Sequence, residues 1–166
     1  MKSTQRTEVR WPHDHLLPTD PHSLERIESI KAGVLAAITT TVVFVAATVI
    51  NHQVMAATFP ELWVLQMQEL NGQGLVSGAI ALFSGFLFGV TYRYIVRLDD
   101  NPHLSSGAVM AFSLVRGLAQ VDVGVMANGA IWPFAILGFE SFVMFAITRV
   151  LLDWGLWLGW IQPFEG

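Results

Sequence analysis

Residues 32–50, "AGVLAAITTTVVFVAATVI", decide the fold class, because they form a run of 19 residues without a charge. At a rise of 1.5 Å per residue, a helix of this length covers about 28 Å, close to the roughly 30 Å hydrocarbon core of a bilayer. A cleaved signal peptide is the alternative, since "VMAA" follows at residues 54–57. Signal peptides, however, have apolar runs of about 7 to 15 residues, and a long, partly acidic arm precedes this one. We therefore predict a membrane-spanning helix.

The composition of the whole chain also indicates that lipid is its solvent. Of the 166 residues, 53% are hydrophobic and 13% are charged, whereas about 25% are charged in an average soluble domain. The chain has no cysteine, which excludes disulfides and cysteine-based metal or catalytic sites. The net charge of -4 comes with no basic patch, so we expect no nucleic-acid partner.

Four apolar blocks separated by polar stretches predict an all-α integral membrane protein. We expect a polar N-terminal arm over residues 1–30 and a four-helix transmembrane domain over residues 31–166, with spans at about 32–50, 74–95, 107–125 and 131–152. The third block is the least apolar, because it contains Arg116 and Gln120. Ser23 is the expected cap of a short helix that leads into the first span. Residues 58–70 suit a helix lying along the membrane surface.

The positions of lysine and arginine predict the topology. Five lysines and arginines lie in the chain up to Lys31. Arg93 and Arg97 lie at the end of the second block, and Arg149 lies at the end of the fourth. The loops after the first and third blocks carry none. With four spans, every lysine and arginine except Arg116 lies on one side, which the positive-inside rule makes the cytoplasmic side or its equivalent. Both termini are therefore expected there.

Small residues recur along the second block at Gly74, Gly78, Ala81, Gly85 and Gly89. Spacings of three and four place them on one face of a helix. Two GxxxG pairs in this stripe allow another backbone to approach closely. The glycine stripe therefore predicts a helix-packing face, and its partner is either a helix of this chain or another protein.

Arg116 lies in the middle of a predicted span, where a charge is costly and usually faces a partner inside the bundle. Glu140 lies at a similar depth in the fourth block. An antiparallel hairpin that turns at Asn128 and Gly129 brings the two residues level. Because a guanidinium can bind a carboxylate through two hydrogen bonds, we predict an intramembrane ion pair between Arg116 and Glu140.

Gln120, one turn from Arg116, and Asp122, toward the far end of the same helix, are the expected polar neighbours of this pair. Three interpretations remain open. The pair fixes how two helices dock, or Glu140 or Asp122 protonates reversibly in a relay, or the charges meet a partner subunit or an acidic ligand. A fully compensated ion pair favours the first, because the arginine keeps the carboxylate ionised.

The sequence contains no catalytic constellation. A Ser/His/Asp order, a phosphate-binding glycine loop and paired acidic motifs are all missing. His13 and His15 have metal-ligand spacing, but they lie in a polar arm without a scaffold to fix their geometry. We therefore expect no catalytic residue, no metal and no cofactor, and an enzymatic role is the least favoured.

The segment Gly89 to Asp122 contains "YRY", an "R-x-D-x-N" turn and "AF-x-LVRGL". In these motifs it resembles uncharacterised small polytopic membrane proteins of cyanobacteria and plastids. The resemblance covers about a fifth of the chain and implies no catalytic residues. It implies a thylakoid or plasma membrane of an oxygenic phototroph as the location.

These features predict a non-enzymatic accessory protein. We expect a helper or small subunit that docks on a larger membrane complex, such as one of photosynthesis, through its glycine stripe and its inner surface. Its expected partners are the lipid bilayer and other membrane subunits. A small transporter or channel component is the alternative. It would have to oligomerise, because four helices with a glycine stripe hardly enclose an aqueous path.

Overall fold

The computed structural model describes residues 21–51, 53, 72–96, 102–128 and 132–163, without the side chains of 21–23, 72, 73, 102, 121–128 and 132–134. The helices are α1 (Pro21–Ile50), α2 (Gly72–Ile95), α3 (Pro102–Asn128) and α4 (Trp132–Trp157). Within these described ranges the chain forms helices and turns and no β-strand. The all-α architecture is thereby shown. The surface helix expected over 58–70 lies outside the described residues.

Helix α1 starts earlier than the apolar run and continues into it without a break. Its first residue is Pro21, and proline suits the first helical turn because the backbone N–H it lacks has no helical partner there. Ser23 therefore lies inside the helix, and its predicted role as the cap is wrong. The last ten residues of the expected polar arm are part of the first long helix.

Three of the helices are long and apolar enough to cross a membrane. The qualifying segments are Leu24–Ile50, Gly74–Ile95 and Ala135–Trp157. Helix α3 does not qualify over its described side chains. Arg116 and Gln120 lie in this stretch and lower its mean hydropathy. The chain is thus an integral membrane protein by the length and composition of three helices.

The helices pack as two close pairs. Helix α1 lies mainly against α2, and α3 against α4, while contacts between α1 and α4 join the pairs. Gly85 faces the side chain of Thr40, and Gly89 faces the backbone of Ala32, so closely that a Cβ on either glycine would overlap α1. Because lipid removes most of the hydrophobic drive between membrane helices, such close backbone contact is a main source of their stability.

An aromatic cluster fills the bundle between α2, α3 and α4. The rings of Phe88 and Phe145 lie 5.1 Å apart between centroids, and Phe112 meets Phe88 edge to face at 5.3 Å. Tyr92 extends the cluster at 5.4 Å from Phe88. Aromatic pairs in such geometries contribute about 0.5–1.5 kcal/mol beyond the area they bury. The cluster therefore ties α2 to the α3–α4 pair.

The outward surface of the helices is apolar. On α3, Leu114, Val115 and Leu118 are exposed, and on α4 so are Phe139 and Val150. A continuous apolar surface of this kind is unfavourable in water, whereas it fits the acyl chains of a bilayer. Ser113 and Arg116 on α3 and Ser141 on α4 are buried instead.

Candidate functional site

A buried polar cluster lies between α1, α3 and α4. Its cation is Arg116 on α3, which is only 8% exposed. The guanidinium carbon of Arg116 lies 5.7 Å from the ring centroid of Phe44 on α1, within the range of a cation–π interaction. The arginine therefore faces the interior of the bundle, as a charge inside a membrane should.

Glu140 on α4 binds to the end of α1. The side-chain amide of Asn51 donates a hydrogen bond of 2.5 Å to Oε1 of Glu140. Asn51 is almost fully buried and stands in a π-helical turn directly after α1. Such turns are common at functional sites, because the extra residue redirects a side chain. Sequence reasoning missed Asn51, although it is the first polar residue beyond the first apolar run.

Arg116 and Glu140 share one small cavity but do not touch. Among the described residues, salt bridges join Lys31 to Glu28 at 2.6 Å and Arg149 to Asp153 at 3.5 Å. The predicted hairpin does bring Arg116 and Glu140 to the same cavity, and Coulombic attraction acts between them. The two-bond contact expected from the sequence is replaced by the Asn51–Glu140 hydrogen bond.

The cavity has a volume of about 20 Å³. This is room for about one water molecule, which needs at least 10–15 Å³ by the same measure. Apolar walls are contributed mainly by α1 and α4, and the polar lining includes Thr48, Gln120 and Ser141. A single water in such a place can bridge polar groups that do not touch directly.

Gln120 also bonds differently from the prediction. Its side-chain oxygen accepts a hydrogen bond of 3.1 Å from the hydroxyl of Ser141 on α4. Ser141 is buried, so this bond joins α3 to α4 beside the charged pair. Asp122 belongs to α3, but its side chain lies outside the described residues.

A second polar cluster surrounds Arg93, where the end of α2 lies beside the start of α1. Arg93 is 2% exposed. Its Nη1 donates to the carbonyl of Glu25 at 3.0 Å and to the hydroxyl of Ser29 at 2.7 Å, and its Nε donates to the carbonyl of Gln162 at 2.8 Å. The arginine thus fastens the segment after α4 to the start of α1. Sequence reasoning used Arg93 only as a topology marker.

The segment after α4 is shaped for this contact by Gly159. Its φ of 71° lies in the left-handed region that glycine adopts freely. Trp160 N–H then bonds to the carbonyl of Gly155 and Gly159 N–H to that of Leu156, both at 3.0 Å, which is the Schellman ending of a helix. The turn buries Ile161 in the core.

A third group of polar residues joins α2, α3 and α4. The hydroxyl of buried Tyr92 donates to Oδ1 of Asp153 at 2.5 Å, and Nε of Arg149 lies 3.5 Å from Oδ2 of the same carboxylate. Nη1 of Arg149 also donates to the hydroxyl of Ser106 at 3.0 Å. These contacts hold the α4 carboxylate between a phenol and a guanidinium.

The predicted glycine stripe lies mainly against α1. Gly78 faces Phe44, and Gly85 and Gly89 meet the side chain and backbone of α1. Ala81 is fully buried and Gly74 is partly exposed. The partner of this face is therefore a helix of the same chain. A docking role of the stripe toward another protein is excluded at Gly85 and Gly89, where α1 occupies the space.

Comparison with protein-family models, with curated proteins and with solved structures finds no match to this chain. Within the described residues, no group of three or more His, Asp or Glu side chains has a geometry that could hold a metal ion.

Proposed function

We propose that this chain is a four-span, non-enzymatic accessory protein of a larger membrane complex, with both termini on the cytoplasmic or stromal side. The observation that carries the proposal is the polar cluster of Arg116, Glu140 and Gln120 around a cavity of about 20 Å³. Asn51 bonds to Glu140, and Gln120 accepts a hydrogen bond from Ser141. Groups that bond to one another across three helices fix how those helices dock. They leave little room for a substrate or an aqueous path.

The proposal of a fourth span rests on the length and faces of α3. Its 27 residues make a helix of about 40 Å at 1.5 Å per residue, longer than the roughly 30 Å hydrocarbon core. Arg116, which lowers the mean hydropathy of this helix, is buried, whereas Leu114, Val115 and Leu118 are exposed. A span whose central charged side chain is buried against its neighbours can be amphipathic and still cross the membrane.

The proposed orientation rests on the charges at the helix ends. Four antiparallel spans put Lys31, Arg93 and Arg149 on the same side of the bundle. Trp154, Trp157 and Trp160 stand there too and are 57%, 81% and 70% exposed. Tryptophan is enriched at membrane interfaces and in the central contacts of protein interfaces. The inner surface is therefore the docking face we favour, since α1 covers the glycine stripe.

The resemblance of residues 89–122 to small membrane proteins of cyanobacteria and plastids supports a thylakoid or plasma membrane as the location. On this proposal, the larger complex belongs to a photosynthetic membrane. The test is extraction of the tagged protein in a mild detergent, followed by native-gel sizing and mass spectrometry of the co-purifying chains. A stoichiometric foreign complex supports the accessory role, and a lone monomer contradicts it.

A matched pair of variants sharpens that test. Trp157→Ala and Trp160→Ala remove exposed aromatic side chains of the inner surface, whereas Val115→Ala removes an exposed apolar side chain from the lipid-facing side of α3. We expect the tryptophan variants to lose the complex while remaining folded, and Val115→Ala to retain it. Loss of the complex in Val115→Ala alone would move the docking face to α3.

One observation favours the alternative of a small oligomeric transporter or channel component. Glu140 bonds to a neutral amide, and Arg116 lies across the cavity, so the carboxylate is not held ionised by a direct ion pair. Proton flux into liposomes containing the purified protein, measured for wild type and Glu140→Gln, tests this role. Flux in wild type that Glu140→Gln abolishes would establish transport.

A further inference from the structure

Arg116 brings hydrogen-bond donors into the bundle for which the described part of the chain supplies no acceptor. A guanidinium has five N–H groups, and this residue is only 8% exposed. Its electrostatic interactions with described residues are the cation–π contact to Phe44 and the Coulombic attraction of Glu140. Neither of these is a hydrogen bond. Because a buried charge is strongly unfavourable unless it is hydrogen-bonded, Arg116 needs a further partner.

The donors of Arg116 face the cavity that this residue shares with Glu140. Among the described residues, every side-chain nitrogen or oxygen that is fully enclosed has a hydrogen-bond partner. The guanidinium nitrogens have none from these residues, so they are not fully enclosed and a water-sized molecule can reach them. The space that admits such a molecule is the cavity, because Arg116 lines it and is otherwise buried.

The lining of the cavity offers both an acceptor and donors. Oε1 of Glu140 accepts from Asn51, whereas no described residue donates to the other oxygen of this carboxylate. The side-chain oxygen of Gln120 accepts from Ser141, and the amide N–H groups of Gln120 have no acceptor among the described residues. An occupant of the cavity therefore meets donors on α3 and an acceptor on α4.

The size and the charge of the lining select a small, neutral occupant. A volume of about 20 Å³ has room for about one water molecule. The positive charge of Arg116 and the negative charge of Glu140 cancel, so the two residues together favour neither an anion nor a cation. An occupant that satisfies both must accept a hydrogen bond on one side and donate one on the other. Water is a molecule of this size that does both.

We propose that the cavity binds one resident water molecule, which accepts a hydrogen bond from Arg116 and donates one to Glu140. Buried waters typically make about three hydrogen bonds, and the amide of Gln120, which lines the same cavity, donates the third. The water joins the two charges that do not touch, and α1, α3 and α4 dock around it. This site holds whether or not the chain docks on a larger complex, and it is independent of the membrane topology.

The test is hydroxyl-radical labelling of the full-length protein in lipid nanodiscs. A short X-ray pulse converts water into hydroxyl radicals, which oxidise the side chains next to that water. Met144 lines the cavity and is 3% exposed, and its thioether is readily oxidised. Mass spectrometry of the peptides should find Met144 oxidised, and fully buried Phe145, which does not line the cavity, unmodified. An unmodified Met144 would overturn the proposal.

Two neighbouring alanines on α1 supply a matched pair of variants. Ala47 lines the cavity, so Ala47→Leu fills it, whereas Ala46 is exposed and does not line it. We expect Ala47→Leu to abolish the oxidation of Met144 and Ala46→Leu to retain it. Gln120→Leu removes one partner of the water at similar volume and should lower the oxidation, which keeps the test decisive if the filled variant fails to fold. Unchanged oxidation in Gln120→Leu or in folded Ala47→Leu would show that radicals reach Met144 by another route, and would overturn the proposal.

Discussion

Two arginines in the described part of the chain, Arg93 and Arg116, are buried, and they differ in the groups that they contact. Arg93 donates to two backbone carbonyls and a serine hydroxyl, which tie the start of α1 to the segment after α4. Arg116 instead faces an aromatic ring and a cavity, with Glu140 on the other side of that cavity. Backbone acceptors cannot change their charge, whereas a carboxylate can.

This contrast predicts how removal of each arginine changes the stability of the bundle. Removing Arg93 strands carbonyls that lie in the bundle, so its effect should be on stability. Removing Arg116 changes the electrostatic surroundings of Glu140, so its effect should depend on the state of that carboxylate.

Arg93→Leu should lower the free energy of unfolding by about 3 kcal/mol, because the Ser29 hydroxyl and the carbonyls of Glu25 and Gln162 lose a charged hydrogen-bond donor. Unfolding in mixed detergent micelles with increasing SDS measures the loss. Arg26→Leu on the exposed side of α1 is the control and should change stability by less than about 0.5 kcal/mol. A stable Arg93→Leu protein would show that the clamp on the C-terminal segment is dispensable.

Arg116→Leu should cost about 2 kcal/mol, since Glu140 then lies in the cavity without a nearby cation. Glu140→Gln should cost less than about 1 kcal/mol, because an amide can still bond to Asn51. In the double variant the two losses should not add, since the residues interact across one cavity. Strict additivity in the same unfolding assay would show that the two charges are independent.

Gly89→Ala should destabilise the α1–α2 pair by about 1–2 kcal/mol, because the new methyl group would overlap the Ala32 backbone. Gly107→Ala on α3 is the matched control, since a Cβ there meets nothing within 4 Å. It should be neutral or slightly stabilising, because alanine has the higher helix propensity. Equal effects at the two positions would argue against close α1–α2 packing.

Lys31→Gln should have the smallest effect, below about 0.5 kcal/mol. Its ion pair with Glu28 spans 2.6 Å, but the lysine side chain is 52% exposed, and exposed ion pairs contribute little. High salt should therefore change the free energy of unfolding of the wild type by less than the same amount. A large salt effect would show that surface charges contribute to stability as much as the two buried arginines are expected to.

Much of the fold followed from local pattern. The 19-residue run at 32–50 predicted the first membrane helix, which the structure extends back to Pro21. Asn128 and Gly129 marked the turn, and α3 ends at Asn128 while α4 begins at Trp132. Counting residues on either side of that turn placed Arg116 and Glu140 at the same depth in the hairpin. In the structure both residues line one cavity.

The choice of hydrogen-bond partners did not follow from local pattern. Asn51 lies 89 residues before Glu140, and only the docking of α1 against α4 brings them together. Likewise, Arg93 reaches Gln162 because Gly159 turns the chain back toward α1. A charge in a predicted span signals that a partner exists, but its identity depends on how distant helices pack.

In the proposed four-span topology, α3 crosses the membrane beside α4. Single cysteines at Ser3, Asn128 and Gly166 test this most directly, because the chain has no cysteine of its own. A membrane-impermeant thiol reagent is applied to sealed vesicles from either side. We expect Ser3→Cys and Gly166→Cys to label from one side and Asn128→Cys from the other. Labelling of Ser3→Cys and Asn128→Cys from the same side would mean that α3 does not cross, and would contradict the four-span topology.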